Sequence, residues 1–167
     1  NHWYPDMEDL RNKVQYNPNV VAILLINPDN PTGMVYPKEI LEEIVELAKE
    51  FNLFLISDEI YNQITYNGAR AYALAEIIDD VPGIAMKGIS KELPWPGARC
   101  GWIECYNRGK DDEFDRLCKT LDDAKMIEVC STTLPQLAIP KILGDSRFEA
   151  YRNDLNEKIG RRSSFIS

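Results

Sequence analysis

Val20-Val-Ala-Ile-Leu-Leu-Ile26, then Asn27-Pro-Asp-Asn-Pro-Thr-Gly33, then a helical stretch from Pro37 to Phe51, then Leu53-Phe-Leu-Ile-Ser57: this run of sequence decides the fold. Its first seven residues are all apolar and rich in β-branched side chains, which reads as a strand buried on both faces of a parallel sheet. Asn27 to Gly33 is dense in turn formers. Pro37 suits the first turn of a helix. Ile40, Leu41, Ile44, Val45 and Leu47 then make one apolar stripe, with Glu and Lys residues opposite, as in a helix that covers a sheet. A second short apolar run, Leu53 to Ser57, completes a βαβ unit. The fold class this predicts is α/β, with a mostly parallel sheet between two helical layers.

Working outward, Asn1 to Asp6 reads as an extended lead-in, and Asp6 as the cap of a helix from Met7 to about Val14. Asn17-Pro-Asn19 stops that helix. On the other side, Ile60 to Tyr66 reads as extended, ending at the turn signal Asn67-Gly68. A short helix is expected over Ala71 to Ile78, a third strand over Ile84 to Ile89 and a fourth over Cys100 to Tyr106. The segment Glu92 to Ala98 is too short for a crossover helix, so the fourth strand is read as antiparallel to the third. Helical patterns follow over about Asp111 to Met126, Leu134 to Leu143 and Ser146 to Arg162. The last is strongly polar and shows no obvious packing partner.

At 167 residues the chain is long enough to bury a real core. Its formal charge of −8 argues against a nucleic-acid surface and an anionic membrane. No apolar run is long enough to span a bilayer, and no signal peptide is evident. Four cysteines without a C-x-x-C pair, and a single histidine at position 2, argue against a zinc site. So few cysteines point to no disulfide scaffold and to a reducing cytosol. The first residue is Asn, and the chain reads as a piece of a longer protein.

Functional groups of α/β sheets gather at the carboxyl ends of the strands. Three consecutive strands here end in chemistry-bearing residues. The first leads to Asn30, the second to Asp58 and Tyr61, the third to Ser90 and Lys91, and Arg99 precedes the fourth. Each has an ordinary reading by itself: Asn30 as a turn residue, Asp58 as a strand-end cap, Tyr61 as half-buried packing, Arg99 as a surface charge. Trp95 and Trp102 read as core or interface packing. The joint pattern of amide, carboxylate with phenol, and amine is far less ordinary than its parts.

Asn-Pro-x-Asn-Pro-Thr-Gly, Ser-Asp-Glu-Ile-Tyr, and Ser-Lys with an Arg eight residues later resemble the class I/II aminotransferases, fold-type-I enzymes that use pyridoxal 5′-phosphate. Order and spacing agree, and the resemblance covers essentially the whole chain. It implies that Lys91 forms a Schiff base with the cofactor aldehyde and, once displaced by substrate, moves the proton at the substrate α-carbon. It implies that Asp58 pairs with the pyridine nitrogen and keeps it protonated. Tyr61 and Asn30 bond the cofactor phenolate oxygen, Asn30 also orients the substrate carboxylate, and Arg99 and Ser90 hold the phosphate. One departure stands out. Many relatives carry a phosphate-binding Ser three residues before the lysine, where this chain has Gly88; either Ser90 serves the phosphate from a shifted position or Gly88 offers only its backbone N–H.

The resemblance also implies what is missing. Family members are more than twice this length. Residues 1–145 correspond to part of the large cofactor-binding domain, and 146–167 to the start of the long helix leading to a small domain. The phosphate loop, the ring-stacking aromatic and the substrate-carboxylate arginine lie in the other parts, and relatives are homodimers. The expectation is therefore an aminotransferase parent acting on an amino acid and a 2-oxo acid, and a fragment with weak or no activity. Lyase or decarboxylase chemistry, or a cofactor-sensing domain of a transcription regulator, are the alternatives.

Overall fold

A computed structural model describes residues 3–165. Asn1 and His2, at the start of the expected lead-in, and residues 166–167, beyond the last helix, lie outside the described residues. Asp6 caps α1 (Met7–Gln15) by accepting the Asp9 N–H at 3.0 Å. The βαβ unit follows as β1 (Ala22–Ile26), α2 (Lys38–Glu50) and β2 (Phe54–Asp58). α3 (Leu74–Ile77) is shorter than expected, one turn only. β3 (Gly83–Gly88) and β4 (Gly101–Tyr106) are joined by a loop holding a single 3-10 turn, Pro96–Ala98. Three helices complete the chain: α4 (Asp112–Met126), α5 (Thr133–Leu143) and α6 (Arg147–Ser163).

The sheet runs β1-β2-β3-β4, with the first three strands parallel and β4 antiparallel to β3. Strand alternation divides its side chains between two cores. Ile23, Leu25, Leu55 and Ala85 pack with Leu41, Ile44, Val45, Leu47 and Ala48 of α2, and Val14 of α1 and Leu74 and Ile77 of α3 join them. On the opposite face Ile84, Phe54, Met86 and Cys105 meet Phe114 and Cys118 of α4. Phe54 and Phe114 have ring centroids 5.3 Å apart. A third, small cluster joins Ile89 and Ala98 to Ile139 of α5, which seats that helix under the turn after β3.

Four expectations are corrected. β1 is buried on one face only: Leu24 is 59% exposed, because β1 forms the sheet edge and α4 covers the strands beyond it. Residues 60–66 are not a strand. The Asp58 carboxylate accepts the Ile60 N–H at 3.1 Å, and the chain turns through bonds from Asn62 to Glu59 and Ile64 to Tyr61. α6 does have a partner. Gly160 is buried against this loop, where a Cβ would stand 3.3 Å from the Cβ of Tyr66. Trp95 and Trp102 are more than a third exposed, so neither is a core residue.

Phe114 is fully buried and is the main anchor of α4 on the sheet. Phe114→Ala is expected to cost about 3–5 kcal/mol. Urea unfolding checks this as a lowered midpoint.

Candidate functional site

The parallel register levels the strand ends. Ile26 pairs with Asp58, and Asp58 with Met86. The Asn27 N–H reaches the Asp58 carbonyl at 3.4 Å, and the Glu59 N–H reaches Met86 O at 2.9 Å. The loops carrying Asn30, Tyr61 and Lys91 therefore leave one rim of the sheet.

Lys91 is exposed in the turn after β3, and its Nζ lies 5.8 Å from the centroid of the half-buried Tyr61 ring. That is within reach of a cation–π contact. Asp58 is half-buried at the end of β2, and Ser90 is half-buried beside Lys91. Asn30 is exposed on the loop after β1, in a turn whose Thr32 and Gly33 N–H groups bond back to Asp29. Arg99 is exposed, with φ 49° and ψ 47°, and its guanidinium donates to its own turn at Pro96 O, 3.0 Å. A non-glycine residue held in the left-handed region is worth noting beside a candidate site. Lys91 and Tyr61 thus meet directly, Asp58 and Ser90 flank them along the chain, and among the described residues no hydrogen bond joins Asn30 or Arg99 to them.

Gly88 has a steric explanation. It is buried, and a Cβ there would stand 3.0 Å from Ile60 Cδ1 and 3.3 Å from Cys100 O. A serine at this position would have to push the Ile60 side chain aside. Ser90 is the nearest hydroxyl before the lysine.

Several polar residues under the site were not singled out from sequence. Asn27 is 3% exposed, and its Oδ1 accepts the Tyr36 N–H at 2.9 Å, fixing the far end of the Asn30 loop. Glu59 is also 3% exposed. Its Oε1 accepts the Leu74 N–H at 2.5 Å at the start of α3, and its Oε2 lies 3.6 Å from Lys87 Nζ. Lys87 also bonds Glu104 at 2.7 Å, and Glu104 accepts from Trp102 and Tyr106. Burial works against the Lys87 charge, yet bonding to Glu104 and the field of Glu59 together raise its pKa. Burial and the Glu104 carboxylate both push the Tyr106 phenol up. Glu92, directly after Lys91, accepts the Gln63 N–H at 2.9 Å. Its neighbour in the chain could have flagged it; Glu59 was visible only as part of the Ser57–Tyr61 motif.

With this geometry in hand, comparison with known proteins is direct. Residues 1–166 match the family described as aminotransferase class I and II. The chain belongs to that family. It is 58% identical over 164 residues to an uncharacterized aminotransferase of Methanocaldococcus jannaschii, covering 98% of this chain and 38% of the relative. It is similar in structure to an alanine aminotransferase from Pyrococcus furiosus, with a TM-score of 0.85, 33% identity, and coverage of 99% of this chain and 40% of that one. A PLP-bound C–S lyase from Staphylococcus hominis aligns with a TM-score of 0.63 and 30% identity, covering 74% of this chain and 30% of that one. The chain thus spans about two-fifths of the length of the first two relatives. The family is pyridoxal-phosphate dependent. No helix among the described residues is long and apolar enough to cross a membrane.

Burial pushes the Glu92 carboxyl above its ordinary value of 4.5, outweighing the Gln63 bond and the positive charges of Arg152 and Lys87. The folded chain therefore holds that proton to higher pH than the unfolded chain does. The stability Glu92 contributes is full below pH 4.5 and is lost as pH rises through its raised value. Against Glu92→Gln, whose side chain stays neutral, the wild type is expected to lose ground across that interval and hold a constant deficit above it. Urea unfolding of both chains over a pH series measures the difference.

Proposed function

We propose that this chain carries the lysine side of a pyridoxal-phosphate site, and that the whole protein is an aminotransferase moving an amino group from an amino acid to a 2-oxo acid. The observation that carries the reading is the placing of Lys91 Nζ 5.8 Å from the Tyr61 ring centroid, with Asp58 three residues before Tyr61, in a chain of the class I and II aminotransferase family. The donor types support it: an amine for an aldehyde, a carboxylate for a basic ring nitrogen, a phenol and an amide for a ring oxygen, and a guanidinium with a hydroxyl for a phosphate. In this reading residues 1–145 belong to the large domain, and 146–167 begin the helix toward the small one.

When bound, pyridoxal phosphate supplies an aldehyde that condenses with amines and a ring that draws electrons from the substrate α-carbon. The chain's residues do the rest. Lys91 would be the residue that holds the aldehyde, and its amine would be the group that moves the proton at the substrate α-carbon. Its exposure gives it access to both partners. The Asp58 carboxylate keeps a proton on the ring nitrogen, which preserves the electron demand of the ring. Tyr61 and Asn30 would donate to the ring oxygen. Arg99 and Ser90 hold the phosphate, Arg99 by charge-assisted bonds once its guanidinium leaves Pro96 O.

Incubation of the chain with pyridoxal phosphate, borohydride reduction and peptide mass spectrometry test this. The label is expected on Lys91, absent in Lys91→Ala and reduced in Arg99→Ala. Labelling scattered over surface lysines contradicts the reading. Steady transamination by the 167-residue chain alone is expected to be weak or absent, checked with alanine and a 2-oxo acid, because it spans two-fifths of its relatives.

A further inference from the structure

We propose that Gln63 is the hub of a clamp through which α6 sets the Tyr61 loop against the Lys91 turn, with Glu92, Arg152 and Asn156 as positioning residues. This rests on the functional reading above. All four hydrogen-bonding groups of Gln63 are engaged. Its N–H donates to Glu92 Oε1 at 2.9 Å, and its carbonyl accepts from Asn156 Nδ2 at 2.9 Å. Its side-chain Oε1 accepts from Arg152 Nη1 at 2.5 Å, and its Nε2 donates to Asn62 Oδ1 at 3.2 Å. Gln63 lies two residues after Tyr61, and Glu92 lies next to Lys91. One residue therefore ties together, through its backbone N–H and the Glu92 side chain, both loops that bring Lys91 Nζ within 5.8 Å of the Tyr61 ring centroid.

The far side of the clamp is built on one face of α6. Arg152, Asn156 and Gly160 recur at four-residue intervals, so they share a face. All three meet the same loop: Arg152 and Asn156 at Gln63, and Gly160 at Tyr66 and Asn67. At Gly160 a Cβ would stand 3.2 Å from Asn67 Oδ1 and 3.3 Å from Tyr66 Cβ, so the missing side chain is what lets the helix come this close. The groups that act on Glu92 are Arg152 and Lys87, both cationic, and Glu59. Arg152 thus acts on the clamp twice, through its bond to Gln63 and through its charge near Glu92. Neither Gln63 nor Arg152 bonds Lys91, Asp58 or Tyr61, so any effect on the site passes through loop position. A displacement of about 1 Å in a reacting group can cost about a hundredfold in rate.

The test uses the 167-residue chain with Glu92→Ala, Glu92→Gln and Arg152→Met. Amide hydrogen exchange is read over residues 60–66, with α2 and β2 as the folding control. The rate of Lys91 labelling by pyridoxal phosphate and borohydride is read across pH. Glu92→Ala and Arg152→Met are expected to speed exchange over 60–66 by about tenfold, the order expected for losing one partly buried bond. They are also expected to slow Lys91 labelling severalfold and shift its pH midpoint, with α2 and β2 still protected. Glu92→Gln keeps an acceptor for the Gln63 N–H and is expected to restore both readouts. Unchanged exchange in Arg152→Met overturns the clamp. Faster exchange with an unchanged labelling rate and midpoint overturns the positioning role. A wild type with no preference for Lys91 overturns the functional reading and the positioning role with it, while the exchange arm still reports separately on whether the clamp holds the loop.

Discussion

Ile26, Asp58 and Met86 lie side by side across three parallel strands, and everything at the candidate site depends on that register. A parallel pair needs a crossover, and α2 supplies one whose apolar stripe buries Leu41, Ile44 and Val45 against Ile23, Leu25 and Leu55. Because strand side chains alternate, a slip of one residue would move Leu55 to the α4 face and Phe54 to the α2 face, and both helical layers would lose their contacts. The two cores thus fix the register, and the register fixes the height at which three loops leave the sheet. Lys91 and Tyr61 meet because their strands end together, 33 and 3 residues after Asp58.

Beneath that rim the chain spends polar groups where apolar ones would pack more simply. Glu59, Lys87, Glu104 and Tyr106 form a partly buried network in which each charge has a partner. Such a network adds little net stability compared with apolar packing, but breaking one member leaves the others unpaired. It joins the end of β2 to the start of α3 and to both β3 and β4. Glu92 is less fully compensated, which is why its carboxyl resists ionisation.

Much of this was legible in the sequence. The βαβ unit followed from the apolar run at Val20–Ile26, the stripe of α2 and the second run at Leu53–Ser57. The antiparallel turn of β4 followed from the shortness of the Glu92–Ala98 link. The family followed from three motifs at the right intervals. Other features were not readable, each for a physical reason. Hydrophobicity shows that Leu24 can be buried, not whether a helix reaches it. The β-branched and aromatic residues Ile60, Tyr61, Ile64, Thr65 and Tyr66 suit a strand, but the Asp58 carboxylate takes the Ile60 N–H and starts a turn instead. The partner of α6 was hidden because Arg152 lies 89 residues from Gln63 and because the contact depends on a glycine, which carries no periodic signal. Trp95 and Trp102 read as core or interface packing, and their exposure in the β3–β4 loop and on β4 rules out the core.

The most direct test of the central claim is a crystal structure of this chain grown with pyridoxal phosphate. The account predicts the cofactor bonded to Lys91 Nζ, with the Asp58 carboxylate at its ring nitrogen and Tyr61 at its ring oxygen. A cofactor attached to another lysine, or lying away from the carboxyl ends of β2 and β3, would contradict it.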